Sequence, residues 1–280
     1  MKDSFLSRFN ELLKKNHIAK ISLIVLTIII IGSILAPLSP YDPDKIDLIN
    51  KFQNPGIKHW FGTDNLGRDY FTRALYGGRV SLTVGACSMV VSVFFGTIIG
   101  TISGYIGGRL DSIIMRCIDI FMSVPSFLLI IIINTFISPS IFTMVFIISL
   151  FAWMGVARIV RAETLSLKER DFVVAAQNFG ASKLFIIYKH ILPNIASSII
   201  VAASVSIAKA ILTESGLSFL GFGVQLPKSS WGSMLQNAQS QVLDLPFLSL
   251  IPGVLILITV LSFNILGDVL SKALEPKSIK

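Results

Sequence analysis

The sequence predicts an all-α integral membrane protein: six transmembrane helices, a polar helical loop between the fourth and fifth, and both termini cytoplasmic. Three observations carry this. Of 280 residues, 53% are hydrophobic and only 14% charged, where soluble domains carry about 25% charged residues. Charge-free runs long enough to cross ~30 Å of hydrocarbon recur along the chain. The basic residues gather on alternate connections, as the positive-inside rule requires.

The first span is Ile21 to Leu38, free of charge and closed by Pro37 and Pro40. It is too long for a signal-peptide core and lacks a small-residue cleavage site. Val80 to Gly108 is a second charge-free run. Ile120 to Ala157 is too long for one helix, and Asn134 to Ser140, with Pro139, divides it into a third and a fourth span. Ile191 to Gly216 is the fifth, interrupted by Lys209 and Glu214, and Leu245 to Gly267 the sixth. Lys2, Arg8, Lys14, Lys15 and Lys20 precede the first span, six basic residues lie between Arg158 and Lys189, and Lys272, Lys277 and Lys280 end the chain. The connection near Asn134 to Ser140 has none, and Leu217 to Asp244 only Lys228. The chain divides into two sections: residues 1–76 with the tail, first span and an extracellular segment, and residues 77–280 with five spans and a loop at about 161–193.

In the second span Ser88, Ser92, Gly96, Gly100, Gly104 and Gly108 place a small residue at every fourth position. Such a ridge lets helix backbones approach closely in lipid, so Gly96, Gly100 and Gly104 are expected to pack another helix. Gly62 to Asp69 reads as a capped turn leading into that span; its DxN spacing resembles a calcium loop, but the closing glutamate is missing. Cys87 and Cys117 lie in or beside apolar runs and are expected to be buried, inert thiols. Trp231 suits an extracellular loop at headgroup level.

The span charges must face protein or water, since a charge at mid-bilayer costs about 2.5–3.5 kcal/mol on insertion scales. Glu214, with Ser215, is the candidate lining of a pathway or else an anchor of the helix end. Asp119 is expected to pair with Arg116. No metal-ligand cluster is apparent. The net charge of +8 is spread over tails and loops without interleaved aromatics, which argues against nucleic acid. Gly216-Leu217-Ser218 has the form of an intramembrane nucleophile, but His17, His59 and His190 all lie outside the spans, so no base is at hand. No Walker A sequence occurs, which places any ATP chemistry in a partner.

Asp171 to Pro193 carries the most information. Phe172, Val173, Ala176 and Phe179, then Leu184, Ile187, Tyr188 and Ile191, repeat a helical period around Gly180. The spacing predicts two short amphipathic helices joined at that glycine, with Pro193 in the first turn of the next span. An interfacial helix resting on headgroups would show the same period.

Ala175-Ala176, Gly180 and His190-Ile191-Leu192-Pro193 resemble the cytoplasmic loop of binding-protein-dependent ABC importer permeases. That resemblance makes Val174, Ala175, Ala176, Gly180, His190 and Pro193 an ATPase-coupling surface. The family usually has glutamate where this chain has Val174, which removes one possible salt bridge. His59 to Leu82, Gly107 to Pro125, Leu217 to Leu235 and Leu261 to Lys277 resemble the peptide and nickel subfamily, of the C-type permeases. The resemblance implies a non-catalytic, multi-pass cell-membrane subunit forming half of a pathway for dipeptides or oligopeptides. Nickel or another chelated metal is the alternative cargo, and a secondary carrier the alternative class. It further implies a homologous second permease, two ATPase subunits holding ATP and magnesium, an extracellular substrate-binding protein, and no cofactor on this chain.

Overall fold

The computed structural model describes residues 5–138, 140–225 and 227–274; Pro139 of the expected break and Lys2, Lys277 and Lys280 of the tails fall outside them. Among the described residues the chain is helical, without strands. In order the helices are α1 (Phe5–Lys15), α2 (His17–Ile34), α3 (Tyr70–Ile106), α4 (Gly108–Met122), α5 (Ser126–Phe136), α6 (Ile141–Lys168), α7 (Asp171–Asn178), α8 (Lys183–Ile186), α9 (Ala196–Phe219), α10 (Trp231–Ala238) and α11 (Phe247–Leu274). Five of them, α2, α3, α6, α9 and α11, are long and apolar enough to span a bilayer; α4 and α5 make a sixth crossing only as a pair bent by 77°.

That bend corrects the expected third span. Pro125 lacks an N–H and its ring disfavours helix at Val124, so the ladder stops at Met122 and restarts at Ser126. With 11 residues α5 reaches only about 16 Å, so the pair crosses a bilayer only where α4 supplies the remaining depth. α3 likewise exceeds its charge-free run. Asp69 caps it by accepting from Thr72 N at 2.7 Å, and Arg73 enters the helix because Asp64 and Asp44 lie 3.5 Å away and Pro43 O accepts at 2.9 Å. The expected turn at Gly62 to Asp69 forms around Asp64, which accepts from Leu66 N at 2.9 Å and Arg68 N at 3.0 Å. Beside it Asp47, bonded by Asn50 Nδ2, is held below the usual carboxylate range.

The small-residue ridge of α3 lies against α6, which runs parallel to it. A Cβ on Gly96 would stand 2.8 Å from Trp153 O, on Gly100 2.5 Å from Ala157 O, and on Gly104 2.9 Å from Arg161 O. Partners advance by four residues on both helices, so the two backbones stay in register for two full turns. Gly108 is not in the ridge: at φ +61° it forms, with Gly107 at φ +72°, the turn from α3 into α4. On the other side α11 meets α9 where Gly267 faces Ser204, and α2 packs on α11.

Trp231 does not reach a headgroup. It is 1% exposed; its ring lies on Gly77 and Gly78 of α3, and its Nε1 donates to Ala74 O at 3.0 Å. An indole with a satisfied N–H is a core residue, and this one fastens α10 to α3. Cys87 and Cys117 are exposed rather than buried, because they fall on helix faces that no other element covers.

Candidate functional site

The 171–191 segment projects from the bundle end where α3 and α6 finish. Gly180, at φ +78°, ends α7 in a Schellman arrangement: Ala181 N donates to Ala176 O at 3.1 Å and Gly180 N to Gln177 O at 3.0 Å. Ser182 caps α8 by accepting from Phe185 N. A π-helical turn then runs from Ile187 to Ile191, closing with Leu192 N on Ile187 O at 2.9 Å. Pro193 has no N–H to extend that ladder, so it sits in the connecting turn, and α9 begins only at Ala196. This corrects the expected place of Pro193.

The segment has two faces. Val173, Ile186 and Ile191 are fully buried with Tyr105 of α3 and Val160 of α6, and Gln177 Nε2 reaches Tyr105 OH at 3.4 Å. On the opposite face Phe179 is 91% exposed, Leu184 79% and Tyr188 77%. Of the sequence-derived coupling residues, Val174, Ala175, Gly180 and Pro193 are exposed, while Ala176 and His190 are half-buried. The His190 ring lies between those of Phe172 and Phe185, at centroid distances of 6.2 and 5.8 Å. The result is a short platform seated on the bundle by aliphatic side chains and presenting aromatic ones outward.

Glu214 and Ser215 stand elsewhere. Glu214 is fully buried; its carboxylate accepts from Ser81 Oγ of α3 at 2.9 Å and Ser218 Oγ at 2.7 Å. Ser230 Oγ extends the network to Ser218 at 3.2 Å, and Trp231 N donates to Ser81 Oγ at 3.3 Å. Neither Glu214 nor Ser215 reaches a surface of this subunit, so the expected lining role is not met. Every oxygen of the carboxylate is instead used to join α3, α9 and α10. Lys209, five residues earlier on α9, is exposed. Asp119 pairs with Arg158 of α6 and not with Arg116, because Arg158 brings its guanidinium onto the carboxylate from the neighbouring helix. No group of three or more potential metal ligands occurs among the described residues.

A bundle of five or six apolar helical segments with a seated loop whose aromatic face points outward defines a multi-pass membrane protein. Residues 96–280 match the family described as the binding-protein-dependent transport system inner membrane component, to which the chain therefore belongs. Residues 4–55 match the N-terminal transmembrane domain of oligopeptide transport permease C. The chain is 40% identical over 265 residues to the oligopeptide transport system permease protein OppC of Bacillus subtilis, covering 94% of this chain and 87% of that one. It is also 40% identical over 267 residues to the dipeptide transport system permease protein DppC of the same organism, covering 95% and 83%. Among solved structures, the MetNI methionine ABC transporter in an inward-facing conformation shares the fold, with a TM-score of 0.58 at 20% identity over 70% of this chain and 95% of that one. The protein is thus a non-catalytic permease subunit of the membrane.

Proposed function

We propose that this chain forms one half of the translocation pathway of an ATP-driven importer of short peptides. The observation that carries the coupling is the platform of α7 and α8, aliphatic toward the bundle and aromatic toward solvent. Such a patch rimmed by polar residues marks a protein docking site. The substrate class rests on relatives about 40% identical over nearly the whole chain that are named for oligopeptide and dipeptide transport. The basic residues of the tails and of the 158–189 connection support a cytoplasmic position for the platform and both termini.

Two ATPase subunits would bind there, holding the ATP and magnesium, with a homologous second permease completing the pathway and an extracellular binding protein delivering the peptide. Closure of the ATPases would displace the platform. Val173, Ile186 and Ile191 would carry that displacement to the end of α6 and the start of α9.

The test is a mild-detergent pull-down of the tagged chain with mass spectrometry of the retained proteins, then peptide uptake by the recovered complex in proteoliposomes. ATPase subunits and a second permease should be recovered, and lost when Ala175 and Ala176 are both replaced by glutamate. Recovery of the chain alone, unaffected by that replacement, would overturn the reading in favour of a carrier not coupled to ATP.

A further inference from the structure

The elbow between α4 and α5 opens a cleft of about 280 Å³ against α6 and α9. Phe121, Met122 and Val124 form one wall, Phe151 and Met154 another, and the third is a stripe of α9. That stripe, Ala202, Val205, Ser206 and Lys209, has the i, i+3, i+4, i+7 spacing of one helix face. Lys209 is the fourteenth of 24 residues in α9, roughly 20 Å along the helix and near the middle of the span.

Three features mark this side as one that does not face lipid. Lys209 is exposed and has no ion-pair partner among the described residues, an arrangement a bilayer core tolerates only where water or protein meets the charge. The Arg158–Asp119 pair sits on the flanking turns of α6 and α4 and is also open, its side chains 43% and 53% exposed. Gly155, on the cleft wall, would meet nothing within 4 Å if it carried a Cβ. The chain therefore keeps at Gly155 a space that its own packing does not need.

We infer that this cleft is the substrate-handling part of the pathway wall, with the Lys209 ammonium receiving the C-terminal carboxylate of the peptide. This rests on the peptide-importer reading above. A peptide of any sequence has one constant anionic feature, its C-terminal carboxylate, while its side chains vary. One unpaired cation in a concave surface otherwise lined by apolar residues and the two serines Ser126 and Ser206 matches that description: it fixes one end of the peptide and leaves the walls tolerant of the variable side chains. Arg158 is already neutralised by Asp119, which leaves Lys209 as the free charge of the cleft.

The experiment uses the full complex with its ATPases, second permease and binding protein in proteoliposomes. Uptake of one peptide is compared with uptake of its C-terminal amide, each at saturation of the binding protein as established by separate titration. The wild type should prefer the free carboxylate by about tenfold, the size of a partly desolvated charge-assisted bond. K209M should bring the ratio to about one by slowing only the carboxylate form, and K209R should keep the preference. An unchanged ratio in K209M, or equal loss of both peptides, overturns the assignment. Release of the second permease by K209M also overturns it, since the ammonium would then be pairing with that subunit. A wild-type complex that imports neither peptide would instead remove the importer reading itself, and is recognised by failing before any substitution is made.

Discussion

The two faces of α6 meet glycines in opposite ways. Toward α3 it meets Gly96, Gly100 and Gly104, each so close that an added Cβ would fall within 3 Å of an α6 carbonyl. Toward the elbow it carries Gly155, where an added Cβ would touch nothing. Glycine is used for opposite ends on two neighbouring helices: on α3 it removes volume so that two backbones can meet, and on α6 it removes volume that nothing in the described residues claims. The contrast separates a structural seam from a working surface. It also says which substitutions should cost stability and which should cost transport.

The largest expected effect is at the seam. Gly100→Val would push a branched side chain against Ala157 O at 2.5 Å and Val160 Cβ at 2.9 Å. Both neighbours belong to a fixed helix, so α3 and α6 must part, at a cost of about 3 kcal/mol or more. Thermal unfolding of the purified protein in detergent should show a large drop, with Gly100→Ala intermediate. A melting temperature within a degree of wild type would mean that the seam is not close-packed.

Next comes the carboxylate that joins α3 to α9 and α10. Glu214→Leu would leave the Ser81 and Ser218 hydroxyls without their acceptor, costing about 2 kcal/mol. Glu214→Gln, which keeps an acceptor, should cost about half as much. If the role is the structural one its burial indicates, the two variants should lose uptake only in proportion to folded protein, measured by size-exclusion recovery. A folded Glu214→Gln subunit with no transport would return Glu214 to the pathway.

The platform should behave in the opposite way. Phe179 is 91% exposed, so Phe179→Asp should change the stability of the isolated chain by no more than about 0.5 kcal/mol. It should nevertheless sharply reduce the ATPase retained in a pull-down, because a buried aromatic anchor typically carries about 2 kcal/mol or more of an interface. Retention at the wild-type level would move the docking surface off this face.

The crossings are legible in the sequence because charge-free length is the property a bilayer selects. The helix-breaking role of Gly180 is legible for the same kind of reason, since its left-handed backbone has one ordinary residue choice. Pro125 escapes notice as a break because it lies inside an unbroken apolar run, where hydropathy is blind to a lost N–H. Trp231 misleads because an indole between prolines looks the same whether it meets headgroups or Gly77 and Gly78. Lys209 and Glu214 are alike as charges within one span. Hydropathy reports depth but not azimuth, and only the packing shows that one is enclosed by serines while the other stands open beside the elbow.

The smallest effect on stability is the sharpest test of the comparison. Gly155→Ala places a methyl in open space within a continuous helix. Helix propensity alone predicts a gain of up to about 1 kcal/mol, the difference between glycine and alanine in a helix interior. If the elbow-facing side of α6 is a working surface, the variant should melt no lower than wild type and yet import more slowly, because the methyl narrows the cleft beside Met122 and Val205. Larger residues should extend the trend, with Gly155→Leu stable and nearly closed to transport. A variant that is both more stable and fully active would show that the space at Gly155 is merely unfilled, and the distinction between the two faces of α6 would then rest on the α3 seam alone.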